Sequence, residues 1–306
     1  MGFACCEKTD GTLVCWGDDT DGRVSGAPEV ISIGPPQISA GGAHTCTLNN
    51  DGSLTCWGSN SEEQITPPPD VIFQQVSAGG EHTCGIKDDG TLVCWGSDSY
   101  GQTSPPLGVT FSQVSAGRDH TCGLKNDGTI ACWGDNTDGK ATPPPVDGGF
   151  TQVSAGGGHS CATRAEDNIL VCWGRPGNYV EYGGNYFATE SMIQISAGSE
   201  HVCALEYDSA IRCGGNNDFG QLSNMGLDNI QVSAGNYHTC SLKSNGTLRC
   251  VGKNDSGQAS PPSGTFVEVS AGDDYTCAVR SDGTEICWGK GQPSLGTQVF
   301  LPMVIK

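Results

Sequence analysis

The sequence predicts an all-β protein, a single closed β-propeller of four-stranded antiparallel blades with one disulfide inside each blade. The first observation is a unit that recurs about every 38 residues along the chain. The second is composition, because 46 Gly and 16 Pro interrupt the chain and no stretch has helical i, i+3, i+4 spacing. The third is the size of the unit. It is too small to bury both faces of a sheet, so successive units are expected to stack around a common axis.

Two short patterns define the unit. The Ser-Ala-Gly triplet occurs seven times, beginning at Ser39, Ser77, Ser115, Ser154, Ser196, Ser233 and Ser270. A pair of cysteines occurs eight times, because residues 1–17 supply a pair with no Ser-Ala-Gly before it. The number of cysteine pairs therefore predicts eight blades.

Each cysteine pair predicts a disulfide-bonded β-hairpin. Cys84 and Cys94 lie opposite each other when two strands pair around the turn Asp88-Asp89-Gly90, whose last position favours Gly. Opposed residues at a non-hydrogen-bonded site have Cα atoms about 4.5 Å apart, which a disulfide can bridge. The same spacing predicts eight disulfides and leaves Cys6 unpaired: Cys5 with Cys15, Cys46 with Cys56, Cys84 with Cys94, Cys122 with Cys132, Cys161 with Cys172, Cys203 with Cys213, Cys240 with Cys250 and Cys277 with Cys287.

The segments on either side of the hairpin predict the other two strands. A short apolar-polar run that ends in Ser-Ala-Gly precedes the hairpin, as in 73–79, and predicts the first strand. Gly-Gln and a Pro pair follow the hairpin, as in 100–106. Because Pro cannot donate to a ladder, this segment predicts a short fourth strand at the blade edge.

The repeats divide one domain, residues 1–306, into eight units and a closing strand. The first unit lacks a first strand, and the strand-like run 297–306 is expected to fill that position and close the ring. A seven-bladed ring with one terminal hairpin outside it is the alternative. The units span about 1–30, 31–70, 71–108, 109–148, 149–190, 191–227, 228–263 and 264–296.

Cysteine content and charge restrict the compartment and the partner. Regularly paired cysteines, 17 in all, indicate an oxidising compartment: extracellular, cell-surface or periplasmic. A net charge of −19 argues against nucleic acid or an anionic membrane surface as partner. No run approaches the roughly 20 apolar residues of a membrane span, so no membrane insertion is expected. No nucleophile or phosphate-binding motif stands out, and we expect no cofactor, no metal and no enzymatic activity.

Three further patterns have simple structural explanations. Six histidines each stand two residues before a cysteine, one per unit, and are predicted to be structural: His44, His82, His120, His159, His201 and His238. The turn 135–139 resembles the start of a calcium loop but is better explained as an Asp- and Gly-rich turn. Asn245 and Asn254 begin glycosylation sequons, which apply only in a eukaryotic source.

One unit also carries a family resemblance. The segments Ser-Ala-Gly-Arg-Asp-His-Thr-Cys-Gly-Leu-Lys (115–125) and Cys-Trp-Gly-Asp-Asn-Thr-Asp-Gly-Lys (132–140) resemble the regulator of chromosome condensation repeat. Their form is similar to that in propeller-type β-lactamase inhibitor proteins and in the ectodomains of Crinkly-type plant receptor kinases. The resemblance covers essentially the whole chain and implies a propeller, usually seven-bladed. It implies binding to other proteins but no shared reaction.

Positions that differ between units predict the partner surface, since common positions build the scaffold. The loops after Ser-Ala-Gly and an aromatic segment in the fifth unit vary most, and Tyr and Arg are frequent hot-spot residues. The candidate partner-binding residues are Arg118, Asp119, Tyr237, Asp274 and Tyr275 in the loops and Tyr179, Tyr182, Tyr186 and Phe187 in the segment. We expect a secreted, non-enzymatic protein that binds another macromolecule, a protein first of all, through one loop face. The alternatives are self-association as a structural subunit of an extracellular fibre, coat or adhesin, and glycan binding as a lectin.

Overall fold

The computed structural model describes residues 3–7, 13–17, 37–145, 149–175 and 192–290. These residues form seven three-stranded antiparallel sheets, here called blades 1 to 7, and a separate two-stranded hairpin that precedes them in the chain. The first, second and third strands of each blade follow one another along the chain and lie side by side in that order. A single 3-10 turn at Thr137–Gly139 is the one helical element among the described residues.

The strands have similar lengths in every blade. The hairpin consists of β1 (Phe3–Glu7) and β2 (Leu13–Gly17). Blades 1 to 3 consist of β3 (Gln37–Ala40), β4 (His44–Leu48), β5 (Leu54–Gly58), β6 (Phe73–Ala78), β7 (His82–Lys87), β8 (Leu92–Gly96), β9 (Phe111–Ala116), β10 (His120–Lys125) and β11 (Ile130–Gly134). Blades 4 and 5 consist of β12 (Phe150–Ala155), β13 (His159–Arg164), β14 (Leu170–Gly174), β15 (Met192–Ala197), β16 (His201–Glu206) and β17 (Ile211–Gly215). Blades 6 and 7 consist of β18 (Asn229–Ala234), β19 (His238–Lys243), β20 (Leu248–Gly252), β21 (Phe266–Ala271), β22 (Tyr275–Arg280) and β23 (Glu285–Gly289).

The prediction of eight blades is wrong, because seven sheets already form a ring. Each first strand contacts the first strand of the next blade, and β21 of blade 7 contacts β3 of blade 1 directly. That contact leaves no place between blades 7 and 1 for an eighth blade. The proposed closing strand, 297–306, lies outside the described residues. The ring matches the alternative count of seven, and no individual sheet closes on itself.

The prediction of four strands per blade is also wrong. In blades 1, 2, 3, 5 and 6 the segment after the hairpin runs to the next blade, where side chains hydrogen-bond to its backbone in place of a fourth-strand ladder. The backbone carbonyl of Gln64, which follows blade 1, accepts hydrogen bonds from Thr83 Oγ1 at 2.8 Å and Trp95 Nε1 at 2.9 Å, both in blade 2. The carbonyl of Gln102 makes the same two contacts with blade 3. The prolines that follow lack a backbone N–H group, so the segment has few donors for the hydrogen bonds of a fourth strand.

The hairpins form as the cysteine spacing predicts. In blade 2, Cys84 lies opposite Cys94 with Cα atoms 4.0 Å apart, and Gly90 in the turn has a φ of 78°. The predicted disulfides of the seven blades are confirmed, and each joins the second strand to the third: Cys46 to Cys56, Cys84 to Cys94, Cys122 to Cys132, Cys161 to Cys172, Cys203 to Cys213, Cys240 to Cys250 and Cys277 to Cys287.

The hairpin before blade 1 carries the eighth predicted cysteine pair. In the hairpin before blade 1 the backbone of Cys5 lies opposite that of Cys15, and their disulfide stays a prediction.

Within the blades, the second-strand cysteine of every bridge is completely buried. The third-strand partner is only partly buried in every blade: Cys56, Cys94, Cys132, Cys172, Cys213, Cys250 and Cys287. Each bridge therefore runs from the blade interior toward its outer strand.

The hydrophobic core lies between blades rather than within them. One cluster joins Cys46 and Leu48 of blade 1 to Phe73 and Val76 of blade 2, and Trp95 packs against it. The rings of Phe73 and Trp95 have centroids 5.8 Å apart, and the equivalent pairs recur in blades 3 and 4. A blade therefore buries its faces only against its neighbours, which explains why the units are stable as a ring.

Ser-Ala-Gly repeats because it builds the seam between neighbouring blades. Each Ser Oγ accepts a hydrogen bond from the backbone N–H of the next blade's Ala at 2.9 Å: Ser39 from Ala78, Ser77 from Ala116, Ser115 from Ala155, Ser154 from Ala197, Ser196 from Ala234, Ser233 from Ala271 and Ser270 from Ala40. The last of these bonds joins blade 7 to blade 1. The Gly allows close approach, since a Cβ atom at Gly79 would lie 2.5 Å from the carbonyl oxygen of Gly117.

A second seam uses the residue two positions before Ser. In blades 1 to 6 this residue is Gln, whose Oε1 accepts a hydrogen bond from a backbone N–H in the next blade, as Gln75 does from Val114 at 2.8 Å. In blade 7 the position holds Glu268, and its Oε2 accepts the bond from Ile38 of blade 1 at 3.0 Å. The ring thus contains one carboxyl group where six blades use an amide.

The histidines form a third seam, in line with their predicted structural role. Five of the six place Nε2 within 2.7–2.9 Å of a Thr or Ser hydroxyl in the next blade: His44, His82, His120, His201 and His238. Burial lowers the pKa of His82 to about 3 and that of His44 to about 4. These side chains are therefore neutral at physiological pH, and they hold adjacent blades together rather than a turn within one blade.

Candidate partner-binding face

One end of the ring carries the seven loops that join first and second strands, and we call it the loop face. The loops are 41–43, 79–81, 117–119, 156–158, 198–200, 235–237 and 272–274. They surround the end of the central channel, where a cavity of about 90 Å³ is lined by the Ala-Gly backbone and the residue after it. Small-molecule sites usually have roughly 300–1,000 Å³, so a ligand at this face would bind across the surface.

The loop backbones are held in place around the channel. The N–H of the residue after Gly donates to the Gly carbonyl of the next blade: Gly42 to Gly79 at 3.0 Å, and Arg118 to Gly156 at 3.1 Å. Asp273 of blade 7 makes the same bond to Gly41 of blade 1 at 3.3 Å. The second and third loop positions carry different side chains in different blades, although the loops share this hydrogen-bonding pattern. A partner would meet a surface that is already ordered.

Four of the predicted partner-binding residues lie on this face. Arg118 and Asp119 belong to the blade 3 loop, with side chains 64% and 37% exposed and Arg118 Nε 3.9 Å from Asp119 Oδ2. Burial raises the pKa of the Asp273 carboxyl, and the charge of Arg118 opposes that increase. Tyr237 and Asp274 belong to the loops of blades 6 and 7. The loop face thus gathers residues that are far apart in the sequence.

Tyr237 and Asp274 belong to a cluster of two aromatic rings and an ion pair, which we call the rim cluster: Phe219, Tyr237, Lys253 and Asp274. The rings of Phe219 and Tyr237 have centroids 5.2 Å apart. Lys253 Nζ lies 5.7 Å from the centre of the Tyr237 ring and 3.1 Å from Asp274 Oδ1. The ion pair with Asp274 raises the pKa of Lys253, which stays cationic. Phe219 is 46% exposed, so the cluster offers both apolar and charged contacts.

Phe219 and Lys253 were not among the residues predicted from the sequence, although both occupy positions that vary between units. Phe219 precedes Gly-Gln, where another unit has Tyr100, and Lys253 follows the third strand, where other units have Ser59 or Asp135. Variation between units is therefore the signal that could have found them. The prediction considered that variation only in the loops after Ser-Ala-Gly and in the aromatic segment.

Tyr275 is not a surface residue, and the prediction for it is wrong. It is 1% exposed and occupies the histidine position of blade 7. Its hydroxyl lies 3.1 Å from Thr45 Oγ1 in blade 1 and donates to the His44 carbonyl. The longer Tyr side chain thus completes the seam that histidines make elsewhere. Its place two residues before Cys277 identifies this role in the sequence.

The remaining sequence candidates stay predictions. Tyr179, Tyr182, Tyr186 and Phe187 lie outside the described residues. Both sequon asparagines lie at exposed positions. Asn245 Oδ1 accepts from Thr247 in a hairpin turn, whereas Asn254 Nδ2 donates to Ser260 Oγ at 2.9 Å.

The calcium-like turn is occupied by its own side chains. Asp135 accepts hydrogen bonds from Thr137 and lies 2.7 Å from Lys140 Nζ. In the part of the chain that the structure describes, no group of three or more His, Cys, Asp or Glu side chains is placed to bind a metal ion. The same part of the chain contains no helix with the length and apolarity of a membrane span.

Comparison with known proteins supports a repeat family. The model of the Regulator of chromosome condensation (RCC1) repeat matches residues 37–64, 73–102, 111–140, 150–179, 192–221 and 230–258, which together make up more than half of the chain. Each of these segments begins with the first strand of one of blades 1 to 6. No curated protein matches the sequence.

Solved structures share the fold. The CRINKLY WD40 ectodomain of the Arabidopsis thaliana receptor kinase ACR4 is 27% identical, with a TM-score of 0.72 over 85% of this chain and 96% of that one. The ectodomain of the Physcomitrella patens receptor kinase CR4 is 24% identical, with a TM-score of 0.70 over 82% of this chain and 72% of that one. Prp20p from Saccharomyces cerevisiae is 16% identical, with a TM-score of 0.67 over 79% of this chain and 81% of that one.

Proposed function

This chain belongs to the regulator of chromosome condensation repeat family, and we propose that it is an extracellular, non-enzymatic propeller that binds another protein through its loop face. The rim cluster is the observation that carries the proposal. Its four residues occupy positions that vary between units, and two of them, Tyr237 and Asp274, lie on loops whose backbones are hydrogen-bonded around the ring.

The disulfides support the extracellular part of the proposal. Seven blades each carry one, and disulfides persist in oxidising compartments. The solved relative with 27% identity is an ectodomain of a receptor kinase, and the chain covers 96% of it. An ectodomain-like position, secreted or at the cell surface, is consistent with both observations.

The chemistry of the rim cluster supports a protein as partner. Aromatic side chains are enriched at protein interfaces and Tyr is a frequent hot-spot residue, and the cluster places two rings beside an ion pair. Yeast Prp20p, which has the same fold, binds the proteins Gsp1p and histones. That protein shares only the fold with this chain, and a fold by itself identifies no partner.

We expect Phe219→Ala combined with Tyr237→Ala to weaken partner binding about ten- to a hundredfold, because the two rings are the large apolar contacts of the cluster. The oxidised protein would be immobilised and exposed to proteins from the cell surface and medium of its source. Captured proteins would be quantified by mass spectrometry and confirmed by affinity measurement with the purified partner.

Tyr100→Ala is the matched control for this experiment. Tyr100 is 58% exposed and also precedes Gly-Gln, but it belongs to the unit of blade 2. We expect that variant to bind as the wild type does. Equal binding by all three proteins would contradict the proposal, as would specific binding on a glycan array or filaments in electron micrographs without a protein partner.

A further inference from the structure

The opposite end of the channel is wider and has a different character. We call it the turn face, because it carries the seven turns between second and third strands. A cavity of about 700 Å³ opens there, in the range of ligand and peptide sites. Its walls include seam glutamines such as Gln75 and Gln231, together with Glu268.

Among the exposed side chains that line this mouth, the apolar ones lie on one side. The second residue of the first strand is exposed in blades 2 to 7. In blades 2 to 4 it is polar, namely Gln74, Ser112 and Thr151. In blades 5 to 7 it is Ile193, Ile230 and Val267, which are 45%, 55% and 46% exposed. We call these three residues the apolar arc.

The fold itself does not require the apolar arc, since three blades of the same structure have polar residues at this position. Two further exposed apolar side chains lie on the same face, Tyr207 in the turn of blade 5 at 71% and Leu227 before blade 6 at 61%. Of the nine large hydrophobic side chains that are exposed among the described residues, six lie on the turn face: these five and Ile72, whose carbonyl accepts a hydrogen bond from Asp88 in the turn of blade 2. Apolar residues gathered in this way indicate a contact surface.

Carboxylates surround the apolar arc. Exposed acidic residues of the turn face are Asp51, Asp70, Asp88, Asp89, Asp127, Glu166, Asp208, Asp228 and Asp282. Hydrogen bonds from the Ser or Thr two positions later lower the pKa of four of them, which therefore stay ionised: Asp51, Asp89, Asp127 and Asp282. In five blades the last residue of the second strand is a cation, and all five are partly buried: Lys87, Lys125, Arg164, Lys243 and Arg280. Three of these already have partners, since Lys87 and Arg164 pair with Asp89 and Asp167, and Lys243 donates to backbone carbonyls.

We propose that the mouth of the turn face binds a basic polypeptide segment, whose apolar side chains contact Ile193, Ile230 and Val267 and whose Lys or Arg residues contact the surrounding carboxylates. Charge complementarity selects this partner. A second copy of the chain would bring another ring of carboxylates, and nucleic acid or an anionic membrane would be repelled. The arc itself is aliphatic, and it offers a β-branched surface to apolar side chains.

The chain supplies the substitutions that test the proposal. A triple variant gives blades 5 to 7 the polar residues that blades 2 to 4 have at the equivalent position. It combines Ile193→Thr, Ile230→Ser and Val267→Gln, and each new residue already occurs at this position on the same strand backbone. The matched control combines Ser112→Thr with Thr151→Ser, which changes the polar side of the mouth conservatively. The probe is a fluorescein-labelled dodecapeptide of alternating Lys and Ile, and anisotropy is measured with the full, oxidised chain. Two control peptides replace Ile with Ser or Lys with Glu.

We expect the triple variant to bind the Lys/Ile peptide about tenfold more weakly or worse, because three apolar contacts are lost. The conservative control should bind as the wild type does, and both control peptides should bind at least about tenfold more weakly to the wild type. The converse variant, Ser112→Ile with Thr151→Val, extends the arc and should strengthen binding. It keeps the test informative if the triple variant folds poorly.

Several results would overturn the proposal. One is equal binding of the Lys/Ile peptide by the wild type, the triple variant and the extended variant. Another is equal binding of the Lys/Ser peptide, which would reduce the contact to charge alone. A wild-type dimer in sedimentation that the triple variant abolishes would identify a second copy as the occupant. Peptide binding that emerges only after deletion of 297–306 would identify the chain's own apolar C-terminal segment.

Discussion

Replacing Glu268 with glutamine is expected to stabilise the protein at neutral pH and to remove its loss of stability between about pH 4.5 and pH 8. Burial raises the pKa of Glu268 to about 8, and the nearby carboxyl of Glu285 adds to the increase, while the Ile38 N–H opposes it. A protonated carboxyl resembles the Gln that six blades have at this position, since one oxygen can accept and the other donate. An ionised carboxyl cannot donate.

The sign of the effect follows from linkage. The folded state keeps the proton of Glu268 up to about pH 8, whereas the unfolded chain releases it near 4.5. Folding therefore binds a proton in this window, and stability falls as the pH rises through it. The loss at pH 7 is on the order of 1–3 kcal/mol, since one unit of pKa corresponds to about 1.4 kcal/mol and Glu268 is only partly buried.

Denaturant unfolding of the wild type and Glu268→Gln at pH 5 and pH 8 measures this effect. We expect the difference between the two proteins to be small at pH 5 and to grow toward pH 8. Gln231→Glu is the matched converse, because Gln231 makes the same contact with Val269 at 3.0 Å one seam earlier. It should destabilise the protein at neutral pH. A difference between wild type and Glu268→Gln that does not change with pH would refute the explanation.

Below about pH 6.5 the protein is expected to lose stability steeply, and the six buried histidines are the cause. Burial lowers the pKa of each histidine, to about 3 or 4 in the folded state. The unfolded chain takes up protons near pH 6.5 and the folded chain does not. Stability is therefore present above 6.5 and is lost as the pH falls. The loss between pH 7 and pH 4 is on the order of 1–3 kcal/mol for each histidine.

Replacing one histidine by tyrosine tests the role of these groups. His82→Tyr copies blade 7, where Tyr275 occupies the same position and its hydroxyl contacts the next blade. We expect acid unfolding of this variant to take up about one proton fewer than that of the wild type, as measured by the slope of unfolding free energy against pH. Identical slopes would show that the histidines do not cause acid unfolding. At pH 6.5 the six histidines of the unfolded chain together hold about three protons, against the one that Glu268 keeps in the folded state, so maximum stability lies somewhat higher, near about pH 7.

The hairpins were predicted correctly because their information is local. Ten residues, a Gly in the turn and two opposed cysteines specify the register within one stretch of chain, as Cys84 and Cys94 show. The number of blades was mispredicted because it depends on contacts between units. A blade needs the Ser hydroxyl that accepts from the next Ala, and that triplet occurs seven times, whereas the hairpin of β1 and β2 has cysteines without it.

The candidate site was predicted only in part, for a related reason. The loop positions of Arg118, Asp119, Tyr237 and Asp274 follow from their place after Ser-Ala-Gly. The contact of Tyr237 with Phe219 does not, because it joins segments whose spatial relation depends on the ring. The apolar arc was missed because its three residues look like core residues of alternating strands. Only the structure shows that their position is the exposed one.

A double-mutant cycle between blade 1 and blade 7 tests the seven-bladed ring most directly. The Tyr275 hydroxyl and Thr45 Oγ1 lie 3.1 Å apart although 230 positions separate the residues in the sequence. Unfolding free energies of Thr45→Val, Tyr275→Phe and the double variant give their coupling. The ring predicts a coupling of about 0.5 kcal/mol or more, as expected for residues in contact. If the changes in unfolding free energy of the two single variants add up to that of the double variant within about 0.3 kcal/mol, the two residues do not interact. That result would contradict direct contact between blades 1 and 7, and with it the seven-bladed ring.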